Sequence, residues 1–353
     1  MTRWDTYRQI AAWLRPVAAG EAPSNPIDPP AWEKVVAAAS DQLVTPALSF
    51  TLQDATWVAK DVADYFAGIL ELNRIRDREM RAHLEAALRA MNGLGIKPGL
   101  LKGAAFLADD CYPEPGIRVT ADLDLLVAED QIQAASQALR EVGYEPQVAT
   151  GTPLSHHHLP ALRHVESGLS VELHRNPVEW ELSGLLDADS WRAASSPIAV
   201  AETRALMASP TDRVVHCIAH GQISDRHYRR GYPQLRTLVD LSVLCARYRA
   251  EIDWADVERR FQAADFGHVL AGTIGQLEFL LGPHVPAGLR RGSEQEAARM
   301  RRSITRGRTA RRWRAACWML HDAAIALRSN PSRLATSVRK GRWRRLPRYD
   351  ANW

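Results

Sequence analysis

Residues 116–127 read GIRVTADLDLLV. The pattern predicts a strand entering a core, yet its apolar run is interrupted by Asp122 and Asp124, with only Leu123 between them. Side chains alternate across a strand, so residues i and i+2 share a face. Asp122 and Asp124 are therefore expected on one face and Leu123 and Leu125 on the other. Two carboxylates held side by side repel and raise each other's pKa unless something cationic sits between them. A hard divalent cation bound through oxygen answers that requirement, and Mg²⁺ prefers a few carboxylates together with substrate phosphates. The run LDLLV that follows sets the acids at the rim of a buried strand rather than in a solvated turn. On repulsion alone, neutralising either aspartate is expected to leave stability unchanged or to raise it slightly.

Working outward, residues 56–92 show helical periodicity, with Met80, Leu84, Leu88 and Met91 on one stripe and Asn92-Gly93 as a stop. Gly99-Leu100-Leu101 reads as a short buried strand turned by Lys102-Gly103, and AAFLADDCY begins a short helix. Backbone N–H groups at a helix start form an anion site, and Gly103 lets a phosphate approach. Lys102 would add a point charge there, and Arg118 would offer a bidentate fork to the same phosphates. YPEPG makes a loop before the aspartate strand. Downstream, residues 129–142 read as a helix ended by Gly143, and residues 144–168 hold strand fragments. A strand LSVELH (169–174) puts Glu172 on one face with Ser170 and His174. Should the two strands be neighbours, three carboxylates converge.

The combined order LKGAAFLADDCYPEPGIRVTADLDLLV…VELH resembles the uncharacterised nucleotidyltransferase family of the polymerase-β-like superfamily. The likeness is close over residues 95–175 and looser through VVHCIAHG and LRTLVDLSVL. It implies an α+β fold: a small mixed sheet flanked by helices, with N-terminal and C-terminal helical regions. It also implies transfer of a nucleoside monophosphate from an NTP to an acceptor hydroxyl, on a small molecule, a peptide or protein, or RNA, with release of pyrophosphate. Asp122, Asp124 and Glu172 would be the catalytic and metal-binding acids, for Mg²⁺ or Mn²⁺. Lys102, Gly103, Ala104, Arg118 and His174 would bind the nucleotide. Ala104 departs from the superfamily pattern, standing where many members have a serine hydroxyl for phosphate, and the gap from Gly103 to Asp122 is longer than in minimal members.

Other histidines admit more than one reading. His156, His157 and His158 would place imidazoles at the mouth of the site, bind a metal, or belong to a polar loop. His216 and His220, at i and i+4, read as packed or hydrogen-bonded helix residues; Asp240 is the nearest third ligand for a metal face.

At 353 residues, 46% hydrophobic and 24% charged, the composition is that of an ordinary globular protein. The expected divisions are 1–93 (helical), 94–200 (α/β core), 201–330 (helical) and 331–353 (basic tail). Four dispersed cysteines without a CxxC pair argue against a disulfide framework or zinc ribbon. The charged N-terminus is unlike a secretory leader, and no stretch reaches the apolar length of a membrane span. These features together lead to an expected cytoplasmic location. The net charge of +4 hides an asymmetry: residues 301–353 hold fifteen Arg/Lys against two Asp/Glu, or +13, which leaves −9 for the first 300. RKGRWRRLPRY (339–349) suits an anionic partner, nucleic acid or a membrane surface, as well as it suits an arm packed on the acidic body. Two rival functions follow: a non-catalytic nucleotide-binding or interaction module on the same fold, and a nucleic-acid or membrane-surface binder acting through the tail.

Overall fold

The computed structural model describes residues 2–20, 23, 31–109, 111–147, 156–231, 234–290 and 292–305. The basic tail and the AACWMLHDAAIAL segment lie outside the described residues, as does most of the proline-rich stretch 21–30.

Seven strands form one mixed sheet. They are β1 (Gly99–Leu101), β2 (Asp122–Leu126), β3 (Tyr144–Pro146), β4 (Leu162–His164), β5 (Ser170–His174), β6 (Ser196–Val200) and β7 (Thr203–Met207). Their order across the sheet is β3-β4-β5-β2-β1-β7-β6. The two motif strands β2 and β5 are parallel neighbours at its centre, and β1 runs antiparallel to β2 on the other side. This is the expected α+β fold, a mixed sheet flanked by helices. The hairpin β6–β7 continues the sheet to Met207, past residue 200.

Both faces of the sheet are covered, which explains why β2 is apolar beyond its aspartates. Leu100, Leu123, Leu125, Val171 and Leu173 share one core with Met80, Leu84, Leu88 and Met91 of the long helix Lys60–Asn92 and with Leu139 of the helix Ile132–Glu141. The stripe read from the sequence is thus the buried face of that helix. Each such fully buried leucine contributes about 1.5–3 kcal/mol. On the opposite face, Leu101 and Leu126 join Trp191 and the helices Pro210–Ile218 and Leu235–Arg247 in a second core. The acids stand on this second face, so they look out between the sheet and the C-terminal helices.

Two local expectations need correction. Strand β2 starts at Asp122, not at residue 116. Residues 116–121 are held as a loop because side chains of the long helix take their carbonyls: Asn73 donates to Gly116 (2.6 Å) and Arg118 (3.2 Å), and Arg76 to Thr120 (2.9 Å) and Ala121 (3.1 Å). The short helix begins at Lys102 itself and ends at Ala108, before Cys111-Tyr112.

Candidate active site

Parallel pairing sets Asp122 beside Ser170, Asp124 beside Glu172 and Leu126 beside His174. Register partners project to the same side, so Asp122, Asp124 and Glu172 occupy one face. All three line a cleft of about 460 Å³ between the sheet and the helical region.

Asp124 is the anchor of the constellation. It is 1% exposed, and its Oδ1 receives the Lys102 ammonium at 2.7 Å and His174 Nε2 at 2.8 Å. Burial alone would raise the pKa of Asp124; Lys102 and His174 overcome it and hold the carboxyl well below the usual range. The reverse holds for Lys102, where burial pulls down and Asp124, Glu172 and Asp122 push the value up. Asp122 lacks such a partner: burial and then the Asp124 charge raise its pKa, with Lys102 only partly opposing them. His174, its Nε2 3.6 Å from the Glu172 carboxylate, lowers Glu172 against its own burial. For His174 itself, burial lowers the pKa, and the bond to Asp124 with the nearby Glu172 carboxylate raises it above the ordinary histidine value.

Lys102 reaches Asp124 from a backbone at φ 40°, the left-handed region, where a residue with a β-carbon is strained. Gly103 next to it is required by space: a β-carbon there would lie 2.7 Å from the Thr120 methyl. Lys102, Gly103 and Ala105, at the start of the short helix, line the cleft. The Ala104 side chain is buried in the core with Leu123 and Leu125, so only its backbone is available to a ligand.

Two expected nucleotide contacts are engaged elsewhere. Arg118 lines the cleft, but its fork grips Asp240 with Nε–Oδ1 at 2.8 Å and Nη2–Oδ2 at 3.0 Å. Tyr112 donates to the same Asp240 at 2.6 Å, and the guanidinium lies over Phe106. Arg118 thus ties the loop before β2 to the helix Leu235–Arg247. His174 lies two register positions beyond Glu172 on the same face and is fully buried; it steadies Asp124 instead of facing the cleft.

The helical wall adds residues the motif did not reveal. Arg236, second in the helix Leu235–Arg247, lines the cleft, its charge is felt by Asp122, and its buried Nε has no hydrogen-bond partner. The sequence signal was available: Arg236 and Asp240 stand at i and i+4 in LRTLVDL, an otherwise largely apolar helix. His216 and His220 line the same wall, on the helix Pro210–Ile218 and the π-turn Ala219–Ser224 that follows it. Burial lowers His216 to about 3 and His220 well below the ordinary value, so both are neutral at physiological pH. Asp240 is held by Arg118 and Tyr112, so these histidines lack the third metal ligand considered for them.

Among the described residues, two groups of side chains converge closely enough to hold a metal ion: Asp124, Glu172 and His174, and His156, His157 and His158, each with ligand atoms within 4.8 Å of one another. The carboxylates of the first group, on adjacent strands with Asp122 on the same face, fit a hard divalent cation, while His174 Nε2 is taken by Asp124. Cys111, Cys217 and Cys245 are free thiols. No helix among the described residues is long and apolar enough to cross a membrane.

A family model described as uncharacterised nucleotidyltransferase matches residues 28–282. No curated protein and no solved structure matches the chain. The matched segment contains the whole sheet, the three acids and the helical wall that faces them, and on that match the chain belongs to the uncharacterised nucleotidyltransferase family.

Proposed function

We propose that the protein transfers a nucleoside monophosphate from an Mg²⁺-bound NTP to an acceptor hydroxyl. The acceptor oxygen forms a bond to the α-phosphorus, the α–β bridging P–O bond breaks, and pyrophosphate leaves. The observation that carries this reading is the in-register pair Asp124 and Glu172, with Asp122 on the same face of one cleft. Asp122, Asp124 and Glu172 would hold the divalent ion, Mg²⁺ or Mn²⁺ in its place. When bound, the ion supplies charge neutralisation at the phosphates and orientation of the attacking and leaving oxygens.

The chain's own residues do the rest. Lys102 and His174 keep Asp124 ionised and fixed in one rotamer, ready to ligate. Glu172, kept ionised by the neighbouring His174, would orient the acceptor hydroxyl and offer a carboxylate to its proton. Lys102, the backbone around Gly103 and Arg236 place positive charge along the triphosphate. Little covalent participation is needed, because phosphoryl-type transfer is mainly positioning and charge compensation. A cytoplasmic setting, where nucleoside triphosphates are at hand, belongs to the same proposal, and a basic tail that engages an anionic partner would sit beside this activity.

The test is nucleotide-dependent thermal stabilisation with each of the four common NTPs, with and without Mg²⁺. Stabilisation is expected only with metal and nucleotide together, at about 2.7 kcal/mol when the nucleotide is at a hundred times its Kd. The same gain in Asp122→Asn would sink the assignment of the acids.

A further inference from the structure

Three consecutive histidines in an extended strand would point to alternating faces and never share an ion. Residues 156–158 do not form a strand; they bend, and only His158 makes an isolated bridge, to His174. The bend gathers the rings. Centroids of His156 and His157 are 4.5 Å apart, His156 and His158 4.2 Å, and His157 and His158 4.8 Å.

The bend is held from behind. The His157 carbonyl accepts the backbone N–H of Arg175 at 2.7 Å and that of Asn176 at 3.3 Å. The His156 carbonyl accepts Arg175 Nη1 at 3.2 Å. These bonds fix the bend to the segment just after β5, which carries Glu172 and His174.

The ring nitrogens are arranged as ligands. His158 Nδ1 lies 2.7 Å from the Leu159 carbonyl, which can only accept, so Nδ1 carries the proton and Nε2 keeps its lone pair. Donation of one ring N–H to a backbone carbonyl is the usual way a ligating histidine is oriented. His156 Nδ1 is buried and has no hydrogen-bond partner. A buried polar atom without a partner costs free energy that a bound ion would return. One nitrogen from each ring lies within 4.8 Å of the others. Ligands at about 2.1 Å from a tetrahedral zinc sit about 3.4 Å apart, which modest ring rotation reaches.

We propose that His156, His157 and His158 form a second metal site, on the cleft wall beside His174, for a borderline divalent transition ion such as Zn²⁺. Three imidazoles and no carboxylate distinguish it from the acidic site: nitrogen donors favour Zn²⁺-like ions, whereas Mg²⁺ takes oxygens. Three protein ligands leave a fourth tetrahedral position for water or for a group on the acceptor. The site goes beyond nucleotidyl transfer and is read without nucleotide, so its failure and the failure of that function are separate results.

The experiment uses the full chain, stripped with chelator and titrated calorimetrically with Zn²⁺ in millimolar Mg²⁺. One equivalent is expected, weakened at least about tenfold in His157→Asn and unchanged in Asp122→Asn. As a readout that needs no variant, Zn²⁺ should protect the 156–158 histidines of the wild type from diethyl pyrocarbonate, followed by peptide mass spectrometry. Absence of that protection overturns the proposal. So does equal weakening by Asp122→Asn, which would assign the ion to the acids, and so does binding of several weak equivalents that His157→Asn leaves intact.

Discussion

Asp122→Asn and Asp124→Asn remove the same charge from the same strand face, yet the structure gives them opposite effects on stability. Asp124 is buried with Lys102 and His174 on one oxygen. Asparagine keeps an acceptor oxygen there but removes the charge facing an ammonium 21% exposed and a fully buried imidazole. Removing one partner of a buried pair costs about 3–5 kcal/mol, and the partial exposure of Lys102 places this case near about 3 kcal/mol. The folded pKa of Asp124 is depressed, so its contribution is present above its unfolded value near 3.8 and is lost only as pH falls through the lower folded value. Lys102 is shifted upward, so its share is present below its unfolded value near 10.5 and is lost only as pH rises through the higher folded one. At neutral pH the whole pair counts. Asp122 instead has a raised folded pKa, from burial and from Asp124, and its ionised form opposes folding at neutral pH. The assay is urea and thermal denaturation at pH 7 without metal. Asp124→Asn should melt about 6 °C or more below the wild type, and Asp122→Asn at or above it. An Asp124→Asn protein as stable as the wild type would refute the buried-pair argument. For Asp124 the contacts argue against the expectation from repulsion alone, that either substitution is neutral or stabilising, because its partners are cations from elsewhere in the fold.

Arg118→Lys cannot reproduce the two-pronged grip on Asp240, and should cost about 2–3 kcal/mol in urea melts while changing the KM for NTP little; a large KM effect with unchanged stability would return Arg118 to the phosphates. Arg236→Ala, with its unpartnered Nε on the cleft wall, should raise the KM for NTP tenfold or more, partly recovered in Arg236→Lys; unchanged KM would remove it from the site. His216 sits near 3 in the fold against about 6.5 unfolded, so the unfolded chain binds its proton first and stability falls as pH drops from 6.5 toward 3. Melts between pH 7 and 5 should show His216→Leu flattening that slope by about 1.4 kcal/mol per pH unit below 6.5; parallel slopes would show His216 already protonated in the fold.

What was legible in the sequence is what local pattern encodes. Strand alternation placed Asp122 and Asp124 on one face and Glu172 on a face of its own strand, the pairing of the two strands being left conditional, and helical periodicity found the Met80–Met91 stripe. The hairpin β6–β7 was missed because Ser196–Val200 is an edge strand with mostly half-exposed or exposed residues and a proline, without a clean alternation. The loop 116–121 was read as strand because its carbonyl partners, Asn73 and Arg76, lie more than forty residues upstream. The Arg118–Asp240 pair joins residues 122 apart, and no local motif announces it. His174 shares a face with Glu172 as expected, but its burial follows from the helices packed over that face, which the strand alone does not encode.

The most direct test supplies the full chain, Mg²⁺ and a fractionated extract with NTP labelled at either the α- or the γ-phosphate, and follows label into acceptor alongside pyrophosphate. Nucleotidyl transfer requires α-label in the acceptor with one pyrophosphate released per transfer and no γ-label. Asp122→Asn should lower the rate about a thousandfold or more, equivalent to about 4 kcal/mol of lost transition-state stabilisation. Equal α-labelling by wild type and Asp122→Asn, γ-label in the acceptor, or Mg²⁺–NTP binding with no transfer to any fraction would contradict the account.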